Sequence, residues 1–162
     1  MKCALVYYSY SGVTKKVVQD MNKIISGTLI EVTPDKPYNT LTAYSLGCKR
    51  ALYEEADPVS PSSIDLAQYD HVIVAGPVWA WKPAPPVNGA IMSLKNGEGK
   101  TASIICTAGA QAGSSVEVMR KALEKQGLQV TGDLVLIPAD LQTNEKVEAF
   151  AHTLTKDHIL SN

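Results

Sequence analysis

No stretch of this sequence holds the roughly 20 consecutive apolar residues that a membrane-spanning helix requires. The opening Met1-Lys2-Cys3-Ala4-Leu5-Val6 runs straight into strand-like sequence rather than a cleavable leader. These two absences make a cytoplasmic protein the expectation. An excess of either charge is missing too: 15 basic and 16 acidic residues leave a net charge of −1, no field to gather nucleic acid or an anionic membrane. Cysteine is scarce and odd in number, and Cys3, Cys48 and Cys106 lack the close pairing of zinc sites or dithiol redox motifs. Cys3 and Cys106 lie inside apolar runs, where a thiol acts as a small buried hydrophobe. Compositional bias, internal repeats and low-complexity segments are also absent. With 45% hydrophobic and 19% charged residues over 162 positions, the chain reads as one globular domain spanning 1–162.

What is present is alternation. Runs rich in Val, Ile and Leu occur at Cys3–Tyr8, Thr28–Val32, His71–Ala75, Ala102–Thr107 and Leu134–Ile137. Most are continuous rather than alternating, as in strands covered on both faces. Between them lie helical stripes. Val17, Val18, Met21, Ile24 and Ile25 share one face, with Gly27 at the expected stop. Val87, Ala90, Ile91 and Leu94 follow Pro85-Pro86 and precede Asn96-Gly97, while Val116, Met119 and Leu123 precede Gly127. Val147, Phe150, Ala151 and Leu154 form the last stripe. A further helix is expected over roughly 41–54, weakened at Gly47, which costs about 1 kcal/mol relative to Ala. Pro34-Asp35-Lys36-Pro37 and 57–63 read as surface loops beside it. Strand and helix repeated five times predict an α/β, doubly wound parallel sheet with helices on both faces. Ligands of such sheets bind in the crevice at the carboxyl ends of the strands, so function is to be sought in the loops after strands one, three and four.

After strand one come Ser9, Tyr10, Ser11, Gly12, Val13 and Thr14. Three hydroxyls, a permissive glycine and the unpaired amides of a helix start make an anion-binding cup suited to a phosphate monoester. The plainer alternative is that Ser11 or Thr14 caps the helix. Neither GxxxxGK[ST] nor a GxGxxG after strand one occurs. Tyr7 and Tyr8 stand where a response-regulator receiver has acidic residues. Cys3 lies too early, and lacks the following arginine, for a low-molecular-weight phosphatase loop.

Strand three leads into Gly76, Pro77, Val78, Trp79, Ala80, Trp81, Lys82, Pro83, Ala84, Pro85, Pro86 and Val87. Prolines stiffen this loop, and both tryptophans of the chain stand at the crevice. Each tryptophan suits either stacking on a planar ligand or closing the core. Strand four leads into Thr107, Ala108, Gly109, Ala110, Gln111, Ala112, Gly113, Ser114 and Ser115. These small residues let backbone approach a ring edge, and a serine is expected to cap the next helix.

Ser9 to Thr14 resembles the [ST]-x-[ST]-G-x-T phosphate loop of flavodoxins, and 76–87 resembles the G-x-P-V-W-x-x-x-P-x-P-P-V signature of short-chain, flavodoxin-like proteins. The resemblance covers essentially the whole chain. It implies a five-stranded sheet of order 2-1-3-4-5 in three layers and a bound flavin mononucleotide (FMN). It implies FMN contacts from Ser9 to Thr14, Pro77 to Lys82, Thr107 to Ala110 and Gly113. Lys15 and Lys16 are not required for the phosphate. Trp81 stands where many relatives have a small residue, and the third loop lacks the stacking tyrosine of electron-carrier flavodoxins.

Three activities stay open. A carrier would pass electrons to a partner protein, although such flavodoxins are strongly acidic and this chain is near neutral. An NAD(P)H-dependent quinone or nitro reductase would serve a small acceptor, and a flavin-free binding module could share the fold. Both redox readings assign the chemistry to the flavin. No catalytic acid or base, and no metal site, is therefore expected. His71, His152 and His158 are expected to lie away from the crevice. The chain is expected to be a monomer or a weak homodimer.

Overall fold

The apolar run Cys3–Tyr7 (β1) is buried along its whole length, as a strand covered on both faces must be. In the computed structural model, which describes residues 1–160 with the side chains of 157–160 excepted, it lies at the centre of a parallel sheet. The other parallel strands are Thr28–Glu31 (β2), His71–Trp79 (β3), Thr101–Thr107 (β4) and Gln129–Leu136 (β5). Their order is β2-β1-β3-β4-β5, the doubly wound arrangement expected. Leu5 pairs with Leu29 on one side and Ile73 on the other.

Helices cover both faces. On one side, Val17, Val18 and Met21 of Val13–Ile25 (α1) and Val147, Ala151 and Leu154 of Glu145–Leu160 (α5) pack on Cys3, Leu5, Tyr7 and Ile105. On the other, Val87, Ala90 and Ile91 of Pro85–Ser93 (α3) and Met119 and Leu123 of Ser115–Lys125 (α4) pack on Ala4, Val6, Val74 and Ile104. Alternate β1 residues thus belong to opposite cores, as a period of two requires. The segment 40–52 (α2) has a helical turn at Thr40–Thr42, a π-helical stretch at Ala43–Gly47 and an α-helical end at Cys48–Leu52.

Several boundaries differ from the sequence expectation. β3 continues past Ala75 to Trp79 and turns back, with Val78 opposite Pro83 and Trp79 opposite Lys82, so Pro77, Val78 and Trp79 are strand residues. β2 ends at Glu31. β5 starts at Gln129 rather than Leu134, because an edge strand with one solvent-facing side carries polar residues such as Thr131 and Asp133. Helix α1 stops at Ser26, left-handed at φ 55°, while the Asn22 side chain ties down Gly27. The stretch 57–63 is not wholly a surface loop, since Asp57 is buried and Val59–Ser60 pairs with Thr33–Pro34. Among the described residues, no helix is long and apolar enough to cross a membrane.

Candidate functional site

At the carboxyl ends of β1, β3 and β4 the chain leaves a cleft of about 450 Å³, within the ~300–1,000 Å³ common for small-molecule sites. Tyr10, Ser11 and Val13 form one wall. The helix behind them starts at Val13 with Gly12 as its N-cap residue and no side-chain cap on it. Ser9 instead reaches forward, its Oγ accepting from the Lys15 amide at 3.1 Å. The Thr14 hydroxyl is buried and lies 2.8 Å from that of Thr107. Of the three hydroxyls expected in the anion cup, only that of Ser11 therefore sits in the cleft wall without another partner among the described residues. The backbone N–H groups of Ser11, Gly12, Val13 and Thr14 meet no acceptor among the described residues. Four converging amides at a helix start are the groups that receive an anion. Lys15 is held by Glu31 at 2.7 Å and Lys16 by Asp20 at 2.5 Å, so neither supplies a free charge.

Pro77, Val78, Trp79 and Ala80 form the second wall. Ala80 and Trp81 occupy both central positions of a two-residue hairpin, at φ 47° and 63°. Such turns need left-handed backbone, which side chains other than glycine resist. The two tryptophans separate in role. Trp79 is half-buried, with the rings of Tyr8, Tyr10 and Tyr38 edge-on around it at 6.1, 5.6 and 5.1 Å. Trp81 stands on the hairpin tip, 58% exposed, outside the cleft wall. Lys82 is likewise outside and pairs with Glu54 at 2.5 Å.

Thr107, Ala108 and Gly109 line the third wall. The Ala108 amide is spent on the Leu136 carbonyl at 2.9 Å. Ala110 is exposed beyond the cleft. Gly113 supports the hairpin from below, and the Ser114 amide donates to the Trp81 carbonyl at 3.1 Å. Neither serine caps α4 with its side chain: Ser114 makes no such bond. Ser115 Oγ is buried without a hydrogen-bond partner among the described residues.

Further cleft residues come from segments the sequence did not single out. Ala43, Tyr44 and Cys48 of α2 close one side, and Pro138 and Leu141 close the other. The Cys48 thiol is pushed up by burial. Gly47 explains its own presence: a Cβ there would lie 2.6 Å from the Trp79 ring. Pro138 and Leu141 follow β5, whose carboxyl end opens on the same crevice, and an apolar residue inside that polar stretch was the available signal.

The histidines lie elsewhere. His71 is buried at the amino end of β3, its ring nitrogens 2.7 Å from Thr101 Oγ1 and 3.0 Å from Ser103 Oγ. His152 is exposed on α5, and the side chain of His158 lies outside the described residues. Among the described residues, no cluster of His, Cys, Asp and Glu could hold a metal ion.

A flavodoxin family profile matches residues 2–152. No curated protein matches the sequence. Among solved structures, a flavoprotein in complex with FMN from Lactobacillus acidophilus NCFM is similar at 22% identity and TM-score 0.71, over 87% of this chain and 96% of that one. A candidate flavoprotein from Bacteroides eggerthii DSM 20697 aligns at 19% identity and TM-score 0.77, covering 95% and 98%. Oxidised flavodoxin 2 from Bacillus cereus aligns at 16% identity and TM-score 0.59, covering 97% and 99%.

Proposed function

The chain belongs to the flavodoxin family, and from that premise we propose that it binds FMN in the cleft and transfers electrons through it. The residues present fit that group. A phosphate monoester needs donors and tolerates an absence of lysine when amides converge on it, and the amides of Ser11 to Thr14, beside the Ser11 hydroxyl, have no acceptor among the described residues. A planar ring system needs apolar walls, supplied by Val13, Val78, Trp79, Ala80 and Leu141. Bound FMN would supply the one- or two-electron chemistry. The protein's part is to hold the phosphate, orient the ring and shield it from water.

The observation that carries this reading is the meeting of Ser11 and Val13, at the start of a helix whose first amides have no acceptor among the described residues, with the Trp79 wall in a single cleft. Its test is a pair of titrations followed by flavin fluorescence. FMN is expected to bind far more tightly than riboflavin, which lacks the phosphate. Ser11→Ala should weaken FMN by about 1.5–3 kcal/mol, the usual contribution of a bond to a charged group, and leave riboflavin unchanged. Equal affinity for the two flavins would overturn the assignment.

A second reading, NAD(P)H-dependent reduction of a quinone or nitro compound, draws support from the charges around the cleft. The cations Lys15, Lys16, Arg50, Lys82 and Lys146 each hold a carboxylate, which leaves little field to steer a protein partner. Fast NADPH oxidation by the FMN-loaded protein supports the reductase, whereas its absence supports the carrier.

A further inference from the structure

Behind the Trp79 wall lies a polar network none of whose members lines the cleft. The Asp57 side chain, only 5% exposed, accepts the Tyr38 hydroxyl at 2.7 Å and pairs with Arg50 Nη1. Arg50 is fixed in turn by Glu55 through Nε at 2.6 Å and by the Ala56 carbonyl through Nη2 at 3.2 Å. Its Nη1 also reaches the Tyr38 oxygen at 3.3 Å. The Tyr38 ring meets Trp79 at 87° with centroids 5.1 Å apart. Tyr8 and Tyr10 flank the same indole, but among the described residues neither of their hydroxyls has a partner. Of the three rings, Tyr38 is therefore the one anchored at its far end among the described residues.

A buried ion pair is weak evidence of stabilisation, because desolvation offsets most of the attraction. It does fix geometry. A buried carboxylate held at one oxygen by Arg50 Nη1 accepts the phenol at its other oxygen, which fixes where that phenol ends. Gly47 packs into the corner where the two rings meet: a Cβ there would stand 2.6 Å from Trp79 Cζ3 and 3.1 Å from Tyr38 Cε1. The indole thus rests against an anchored ring and the close-packed Gly47 of α2.

We propose that Arg50 and Asp57 are positioning residues for the cleft, acting through Tyr38 to hold the Trp79 ring that forms its wall. This rests on the FMN reading for its ligand and on the aromatic geometry for its mechanism.

The test uses the full chain in a Trp81→Phe background, which leaves Trp79 as the single tryptophan. Acrylamide quenching of its fluorescence, without FMN, reports how firmly the indole is held, and FMN affinity is measured separately. Tyr38→Phe removes one oxygen and keeps the ring, so it tests the link even where Asp57→Ala fails to fold. It is expected to raise quenching about twofold and to weaken FMN about three- to tenfold, the change that one net hydrogen bond brings. Where Asp57→Ala folds, the double variant should be no worse than Asp57→Ala alone, since both act through one contact. Unchanged quenching in Tyr38→Phe, unchanged FMN affinity with raised quenching, or additive losses in the double variant would each overturn the proposal. If the parent protein binds no FMN, the functional reading fails instead, and the quenching arm alone decides whether Tyr38 holds Trp79.

Discussion

Thr14 and Thr107 face each other with their hydroxyl oxygens 2.8 Å apart, both side chains buried. One sits in the first turn of α1 and the other closes β4, so a single hydrogen bond sets the spacing of two cleft walls. Thr107→Val leaves the Thr14 hydroxyl buried and unpaired, and should cost about 1–3 kcal/mol in urea unfolding. Replacing both threonines by valine should recover part of that loss, because no polar group is then stranded.

Gly113 and Trp81 make the second brace. Gly113 has φ +57°, and a Cβ on it would stand 2.4 Å from Trp81 Cβ and 2.6 Å from the Trp81 carbonyl oxygen. Gly113→Ala therefore meets both a strained backbone and a steric block. Destabilisation of at least about 1 kcal/mol is expected, with a red shift in tryptophan emission as the hairpin tip lifts away.

The hairpin itself stores strain. A residue with a side chain pays roughly 1–2 kcal/mol in left-handed conformation, and Ala80 and Trp81 both adopt it. Ala80→Gly should raise stability by up to about 1 kcal/mol, read from the urea midpoint. No gain would mean that surrounding contacts already offset the cost.

Thiol chemistry should divide the three cysteines. Cys3 and Cys106 are buried, and burial pushes both thiols up to about 12. Only Cys48, half-buried on the cleft wall, should react with a maleimide in the native protein. Bound FMN should slow that reaction, and mass spectrometry of labelled peptides checks both statements.

The same two thiols give stability a direction in alkali. Their folded values lie above the ordinary 9.0, so the folded chain keeps protons that the unfolded chain releases. Stability from these groups is complete below about pH 9 and is lost as pH climbs towards about 12. Tyr38 adds to the loss from about 10 upward, burial and its bond to Asp57 raising it to about 12. Urea midpoints at pH 8 and 10.5 should show the fall, and Cys106→Ala should make it shallower.

The sheet and its loops were legible because β-branched runs and glycine or proline punctuation are local signals. The loops 9–14, 77–80 and 107–109 meet at the cleft as their places after strands one, three and four implied. The contribution of α2 was not legible. Its π-helical stretch at Ala43–Gly47 shifts the helical register, so Ala43 and Cys48, five residues apart, share the cleft although a period of about 3.6 residues would not pair them. Gly47 looked like a flaw in a helix and is instead the gap into which Trp79 fits. The two inward hydroxyls, Ser9 and Thr14, were equally hidden: a motif fixes their order along the chain, whereas Lys15 N and Thr107 Oγ1 decide where each points.

The coupled charges beside the cleft bear on encounter rates. With Lys15, Lys82 and Lys146 each tied to a carboxylate, approaching molecules feel short-lived local dipoles and little long-range pull. Turnover or electron exchange should then run at nearly the same second-order rate in dilute buffer and in concentrated salt, a behaviour that separates this molecule from any relative guided by a one-signed surface.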